Sequence, residues 1–403
     1  MISEEQIELL VERLVERINK ANTYFLKSIG SSIKKIKNLT PSQAHQLVQI
    51  LKYGGNYEDI VRKISKYTNL NIQDIDNIFS SYARTDQRFY EKFYKYRNIP
   101  FTPFNENIAL VRQTMALSNI AKNEMYNMFR TNVLGYTING KFYNLKETYI
   151  KALDEAVLNV GQGKETFDNA MTRILKDIGG SGLKTIDYAS GRSVRLDSAL
   201  RMHLKGELRE LHNENQKLIG EEFGYDGVEI SVHSFPAIDH APVQGRQFSK
   251  EEYAKLDAGL VAKDVKGRTY TLDHDGKGGY RPISELNCYH YIFSIVLGVS
   301  KPEYTDKQLQ QIINDNKKGF ELDGKHYSLY EGTQLQRNIE RKIREQKDIQ
   351  ILAKESDNKE LILQSQSNIT KLTHKYRELN KISGLPSQME RAKVSGYKRV
   401  AIK

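Results

Sequence analysis

Tryptophan is absent from this 403-residue chain, and cysteine occurs once, as Cys288. One thiol cannot form an internal disulfide, so the fold must hold without oxidative staples, as expected of a protein made in a reducing cytoplasm. Proline is scarce, eight residues in all, which favours long uninterrupted helices. No apolar run long enough to span a membrane occurs; the longest candidate, 289–299, is too short and contains Ser294. The N-terminal segment from Met1 to Asn19 carries Glu4, Glu5, Glu8 and Glu12 instead of the basic start and apolar middle of a signal peptide. These absences predict a soluble chain that neither spans a membrane nor leaves the cell by a standard route. A phosphate-binding Gly-Lys-Ser/Thr loop is also missing, since the glycine turns at 161–164 and 191–193 lack its spacing.

What is present suits a folded, mainly helical protein. Hydrophobic residues make up 39% of the chain and recur at regular intervals, so a core can form and disorder is excluded. In residues 1–135, Ile7, Leu10, Leu14 and Ile18 mark one helical stripe, and Thr40-Pro41 reads as a helix start. Two long helices are expected at 72–96 and 105–129, separated by Pro100 and Pro103. The aromatic stripe of Phe79, Tyr82, Phe89, Tyr90, Phe93, Tyr94 and Tyr96 reads as core, with base stacking as the sharper alternative.

Residues 136–329 form a central α+β region. Asn139-Gly140 and Asp323-Gly324 each sit between alternating residues and tolerate the positive φ of a tight hairpin turn. A third hairpin is expected around Ser190-Gly191, a long helix at 197–223, and a strand at 228–233. Residues 330–403 read as a helical hairpin about 30 Å long, broken at Ser356-Asp357-Asn358 and followed by a basic tail. The fold class is therefore mostly α with a smaller α+β centre. No internal repeat of the kind that builds solenoids is visible.

The net charge of +11 is uneven. From Lys301 onward there are 21 Lys and Arg against 14 Asp and Glu. Residues 391–403 hold five basic residues, Arg391, Lys393, Lys398, Arg399 and Lys403, and no acidic one. Such a tail suits non-specific contact with double-stranded DNA, although a solvated tail without a partner has the same composition.

Six of the nine histidines lie between 203 and 290, near Cys288. His233 and His240 flank one turn, and Cys288 and His290 are two apart, which places them on one face of an extended segment. Imidazole and thiolate are ligands zinc prefers, so His233, His240, Cys288 and His290 are a candidate structural zinc set. The alternative is a hydrogen-bonded group of four polar side chains without an ion. A competing reading comes from 272–279 and 285–290, which resemble the ββα-metal nucleases. That resemblance would make His274 the base, Asn287 the orienting residue and His290 a metal ligand, although Asn287 and His290 stand closer together than that family's pattern.

Residues 230–248, with His233, His240-Ala241-Pro242 and Gln244-Gly245-Arg246, are followed by Asn287-Cys288 and His290. In that order, with the segments 195–201, 336–344 and 384–391, they resemble the phage minor capsid protein 2 family of tailed bacteriophages. Two positions depart from the family's pattern: Val243 stands where it favours tryptophan, and Tyr289 where it favours arginine. The resemblance implies a structural component of the virion acting in head morphogenesis, assembled in the bacterial host cytoplasm near the portal. It further implies contact with portal protein, major capsid protein or packaged DNA, without establishing any catalysis. A metal-dependent nuclease or other DNA-processing enzyme using the His/Asn/Cys cluster is the alternative.

Overall fold

The computed structural model describes residues 4–187, 189–272, 281–283, 288 and 290–401, with side chains from Ile7 onward. Helix α1 (Glu4–Lys37) is the element on which much of the rest packs. Its apolar residues recur every three or four positions, and Ile7, Val11, Leu14, Ile18, Phe25, Ile29, Ile33 and Ile36 are all buried. Helix α2 (Pro41–Tyr53) starts at the expected Thr40-Pro41, where Thr40 and Gln43 form a reciprocal capping box.

Helix α3 (Asn56–Arg97) is longer than the expected 72–96, reaching 42 residues. No proline or glycine lies within it to stop it. It ends where Asn98 turns left-handed, at φ 55°, two residues before Pro100. Helix α4 (Ile108–Phe129) follows, capped by Asn107, whose side chain accepts the Leu110 N–H.

A hairpin of β1 (Leu134–Ile138) and β2 (Lys141–Asn144) turns at Asn139-Gly140, both with positive φ, as expected. Helices α5 (Leu145–Asn159) and α6 (Lys164–Ser181) come next. The hairpin of β3 (Lys184–Ile186) and β4 (Ser193–Arg195) then completes an antiparallel sheet in the order β2-β1-β3-β4. Helix α7 (Leu196–Phe223) leads into β5 (Gly227–Ile230), β6 (Gln247–Ser249), α8 (Lys250–Asp257), β7 (Ala262–Lys263), β8 (Thr269–Tyr270) and β9 (Ile292–Ile295). Strand β5 pairs antiparallel with both β6 and β9. It stops at Ile230, short of the expected 233, because the His233 N–H turns to the Gln244 side chain instead of a neighbouring strand.

Helix α9 (Asp306–Lys318) precedes a hairpin of β10 (Phe320–Leu322) and β11 (Lys325–Tyr327), which turns at Asp323-Gly324 as expected. Helices α10 (Leu329–Glu355) and α11 (Lys359–Ser383) form the C-terminal hairpin, broken at the left-handed Asp357. The 27 residues of α10 span about 40 Å at 1.5 Å per residue. The hairpin is thus longer than expected, because α10 begins at the Ser328–Glu331 capping box and meets no breaker afterwards.

All three sequence regions contribute to one main core, which unites Ile18 and Phe25 with Tyr136 and Leu153, and with Leu352 and Leu361. A buried polar network crosses the same seam. Arg195 pairs with Asp197 at 3.3 Å and Asp348 at 3.2 Å, and Arg344 reaches Asp197 at 3.0 Å. Asn22 of α1 donates to Asp348 (3.0 Å) and accepts from the Tyr136 hydroxyl (2.8 Å) and the Leu183 N–H (3.1 Å). A second core packs the aromatic stripe of α3 against α7: Phe223 lies 5.1 Å from Phe93 and 6.0 Å from both Tyr90 and Tyr94, ring to ring. The stripe is therefore packed as core as far as Tyr94, whereas Tyr96, also expected in the core, is well exposed.

The tail does not leave the body. Residues 389–392 form a 3-10 turn against α10, and the Arg391 and Ala392 carbonyls accept from Arg344 and Lys347. Further on, the Ser395 carbonyl accepts from Thr23, and the Val400 N–H and Tyr397 hydroxyl both donate to Gln366.

Candidate metal centre

Between β5 and β6 the chain makes a compact excursion, 231–246, closed by Gly245. Its φ of 66° suits glycine, and its N–H donates to the Ile230 carbonyl at 2.8 Å. A β-carbon there would lie 2.5 Å from Leu309 Cδ2 and 2.8 Å from Val232 Cγ2. The Asn316 side chain of α9 holds the excursion by donating to the Pro236 carbonyl at 2.9 Å. The segment entering β9, with Cys288 and His290, arrives beside it.

Helix α7 fixes that second segment. Arg209 donates to the Cys288 carbonyl, His212 Nε2 to the Ile292 carbonyl at 2.9 Å, and the Asn213 and Gln216 oxygens accept the Ile292 and Ser294 N–H groups at 3.3 Å. These four residues recur at helical spacing, so a polar stripe of α7 satisfies the outer edge of β9 in place of another strand. Asp86 of α3 in turn lies 3.0 Å from His212 Nδ1 and accepts from Gln216 at 3.2 Å. Sequence reading missed this grip, since a polar stripe on a helix looks like a solvated face.

Three of the four proposed ligands meet. Cys288 Sγ lies 3.5 Å from His240 Nδ1 and 3.5 Å from His290 Nδ1, and one ligand atom from each residue lies within 4.8 Å of the other two. All three side chains are buried. His233 is half-buried and stands outside that set, its ring packed edge-on against His290 at 4.5 Å between centroids.

The surrounding oxygens assign the tautomers. The His240 Nε2 is 2.9 Å from the Arg281 carbonyl, which can only accept, so this nitrogen carries the proton. Gln244 Oε1 accepts the His233 backbone N–H at 2.9 Å, which identifies it as the amide oxygen; His290 Nε2, 3.4 Å from it, is therefore also protonated. Both imidazoles thus turn a bare Nδ1 lone pair toward one sulfur. The Arg281 guanidinium, bidentate on the buried Asp239 at 2.9 and 3.0 Å, holds the residue whose carbonyl orients His240.

Electrostatics keep the group neutral. Burial pushes the His290 pKa well below the usual imidazole value, and His233, His240 and Arg281 add to the effect. Burial also lowers His240, against the opposing pull of the Arg281 carbonyl and Asp239. The Cys288 thiol is raised by burial, partly offset by a backbone hydrogen bond at His290 and by Arg209 and Arg281. Two neutral imidazoles and a thiol facing each other are the donor set of a soft-to-borderline divalent cation.

Val243 is wholly buried at the position where tryptophan is favoured, Ala241 is buried, and Pro242 is exposed. Arg246 reaches across to Asp306 at the start of α9. His274 and Asn287, on which the nuclease reading depends, lie outside the described residues, as does Lys403. In the tail, Arg391 is committed to Glu8 of α1 at 3.0 Å and Lys393 pairs with Glu390, whereas Lys398 and Arg399 are exposed.

Among the described residues a second metal-capable group exists, Glu124, His203 and Glu207, on the partly exposed face between α4 and α7. Burial and the nearby Glu124 raise Glu207 to about 7. No helix among the described residues is long and apolar enough to cross a membrane.

A family model described as phage minor capsid protein 2 matches residues 2–380. No curated protein and no solved structure matches the chain.

Proposed function

Because the chain belongs to the phage minor capsid protein 2 family, we propose that it is a structural head-morphogenesis component held near the portal vertex, in contact with portal or major capsid protein and with packaged DNA. The observation that carries this reading is the family match, which runs through the helical body, the His/Cys region and most of the C-terminal hairpin. The build agrees with a structural role: long helices are locked into one core, and buried ion pairs join the middle of the chain to its C-terminal hairpin. For DNA, the supporting feature is that the tail is held on α10 and α11, so Lys398 and Arg399 are displayed on a defined surface. Such contacts read phosphates and not sequence.

The test uses purified virions and heads assembled with and without portal protein. The protein is expected in virions and in portal-containing heads, and depleted from heads lacking the portal. Its absence from purified virions would overturn the structural reading. For the DNA contact, reversing Lys398 and Arg399 to glutamate should weaken duplex binding and flatten its salt dependence by about two counterions. Unchanged binding at every salt concentration removes the tail from the DNA contact. Plasmid nicking with Mg²⁺, Mn²⁺ or Zn²⁺ that disappears in a His274→Ala variant would replace the structural role with an enzymatic one.

A further inference from the structure

We propose that His240 Nδ1, Cys288 Sγ and His290 Nδ1 bind one Zn²⁺, which staples the excursion between β5 and β6 to the segment entering β9.

The two Nε2–H groups are spent on the Arg281 carbonyl and the Gln244 amide oxygen, so both Nδ1 atoms are acceptors aimed at Cys288. A thiol has one hydrogen and can donate to only one of them. The other lone pair is then left facing sulfur in a buried pocket, a costly arrangement without a partner. A cation at the common point satisfies both nitrogens and the sulfur together.

Distances agree. With Zn–S of about 2.3 Å and Zn–N of about 2.05 Å at tetrahedral angles, the sulfur-to-nitrogen edge is about 3.5 Å. Both observed edges are 3.5 Å. An S–H···N hydrogen bond has a similar length, so distance permits the ion and the proton count favours it.

The surroundings are those of a metal site as well. Each histidine ligand donates its Nε2–H to a carbonyl oxygen, the usual outer support that fixes ring orientation and tautomer. One of these oxygens is held by the His233 N–H, and the residue bearing the other by the bidentate Asp239–Arg281 pair. On binding, the Cys288 thiol gives its proton to solvent and the thiolate bonds to zinc, while both imidazoles remain neutral. The ion also has a mechanical role, because 48 residues separate His240 from Cys288 and its closure fixes both ends of that stretch.

The experiment uses the full chain, purified without chelator and with zinc in the growth medium. About one zinc per chain is expected, and its removal should lower the melting temperature reversibly. Cobalt(II) in place of zinc should give the visible absorption of a tetrahedral centre together with a thiolate-to-cobalt charge-transfer band. That band needs no variant, so a misfolded mutant cannot confuse the result. Cys288→Ser should abolish the band, and Gln244→Ala, which removes only an outer support, should weaken zinc binding by about 10- to 100-fold. Wild-type protein that takes up no zinc and shows no cobalt–thiolate band overturns the proposal. So does zinc held equally well by the Cys288→Ser variant, which would place the ion elsewhere, as on Glu124, His203 and Glu207.

Discussion

Replacing Arg195 with methionine tests how the regions of the chain are held together. Arg195 is buried and pairs with Asp197 and Asp348, while Gly182 lies so close that a β-carbon there would stand 2.3 Å from its guanidinium. Methionine has similar reach and leaves little cavity, so the loss is electrostatic. Asp197 keeps Arg344 at 3.0 Å, but Asp348 is left with the amide of Asn22 in place of a paired cation. Leaving one buried charge without its partner costs about 3–5 kcal/mol.

The pH dependence separates this cause from poor packing. Burial raises the Asp348 carboxyl to about 6, even with Arg195 pulling it down. A folded pKa above the unfolded value of about 3.9 means that the folded state binds the proton more tightly. Stability from this group therefore increases as pH falls through 6 toward 4. Without Arg195 the carboxyl rises further, so the deficit of Arg195→Met should be largest near pH 8 and shrink near pH 5.5. Adding Asp348→Asn should recover much of it at pH 8. Urea unfolding followed by circular dichroism at both pH values is the assay. A deficit below about 1 kcal/mol at pH 8, or one equal at both pH values and untouched by Asp348→Asn, refutes the assignment.

Two further predictions concern other joints. Gly245→Ala combines a left-handed backbone with a collision against Leu309 and Val232, and should cost about 2–4 kcal/mol; a melting temperature indistinguishable from wild type would contradict that. Burial raises the Glu8 carboxyl, but Lys205 and Arg391 outweigh it and hold the pKa at about 2. A folded value below the unfolded one gives stability that is present above about pH 4.3 and is lost as pH falls toward 2. Glu8→Gln should therefore cost about 2 kcal/mol at pH 7 after allowance for partial solvent screening, and little near pH 2.5. Proteolysis after Arg391 should also quicken in that variant, and an unchanged cleavage rate would detach the tail from this ion pair.

Local signals carried the elements. The capping box at Thr40, the Asn139-Gly140 and Asp323-Gly324 turns and the break at Asp357 occur where their residues predict, because each depends on backbone preferences of a few neighbouring residues. Helix ends far from such signals were less legible. Helix α3 starts at Asn56, well before the expected 72, since nothing stops a helix there and burial against α1 extends it. The ordered His, Gln-Gly-Arg and Cys-x-His residues marked the region of the candidate site and included the three side chains that converge there.

What sequence by itself could decide was the helical class, the hairpins, the absence of disulfides and the residues capable of holding a metal, all properties of short windows or of composition. Only the tertiary structure brought His240 within reach of Cys288 across 48 residues, set His233 beside rather than inside the group, and supplied Arg281 and Gln244 as orienting partners. It also folded the basic tail, which composition reads equally as a DNA contact or as solvated, back onto Glu8, α10 and α11. The reason is common to all of these. Pairing between residues far apart along the chain is decided by the packing of whole helices, and no local pattern records which distant surface a side chain will meet.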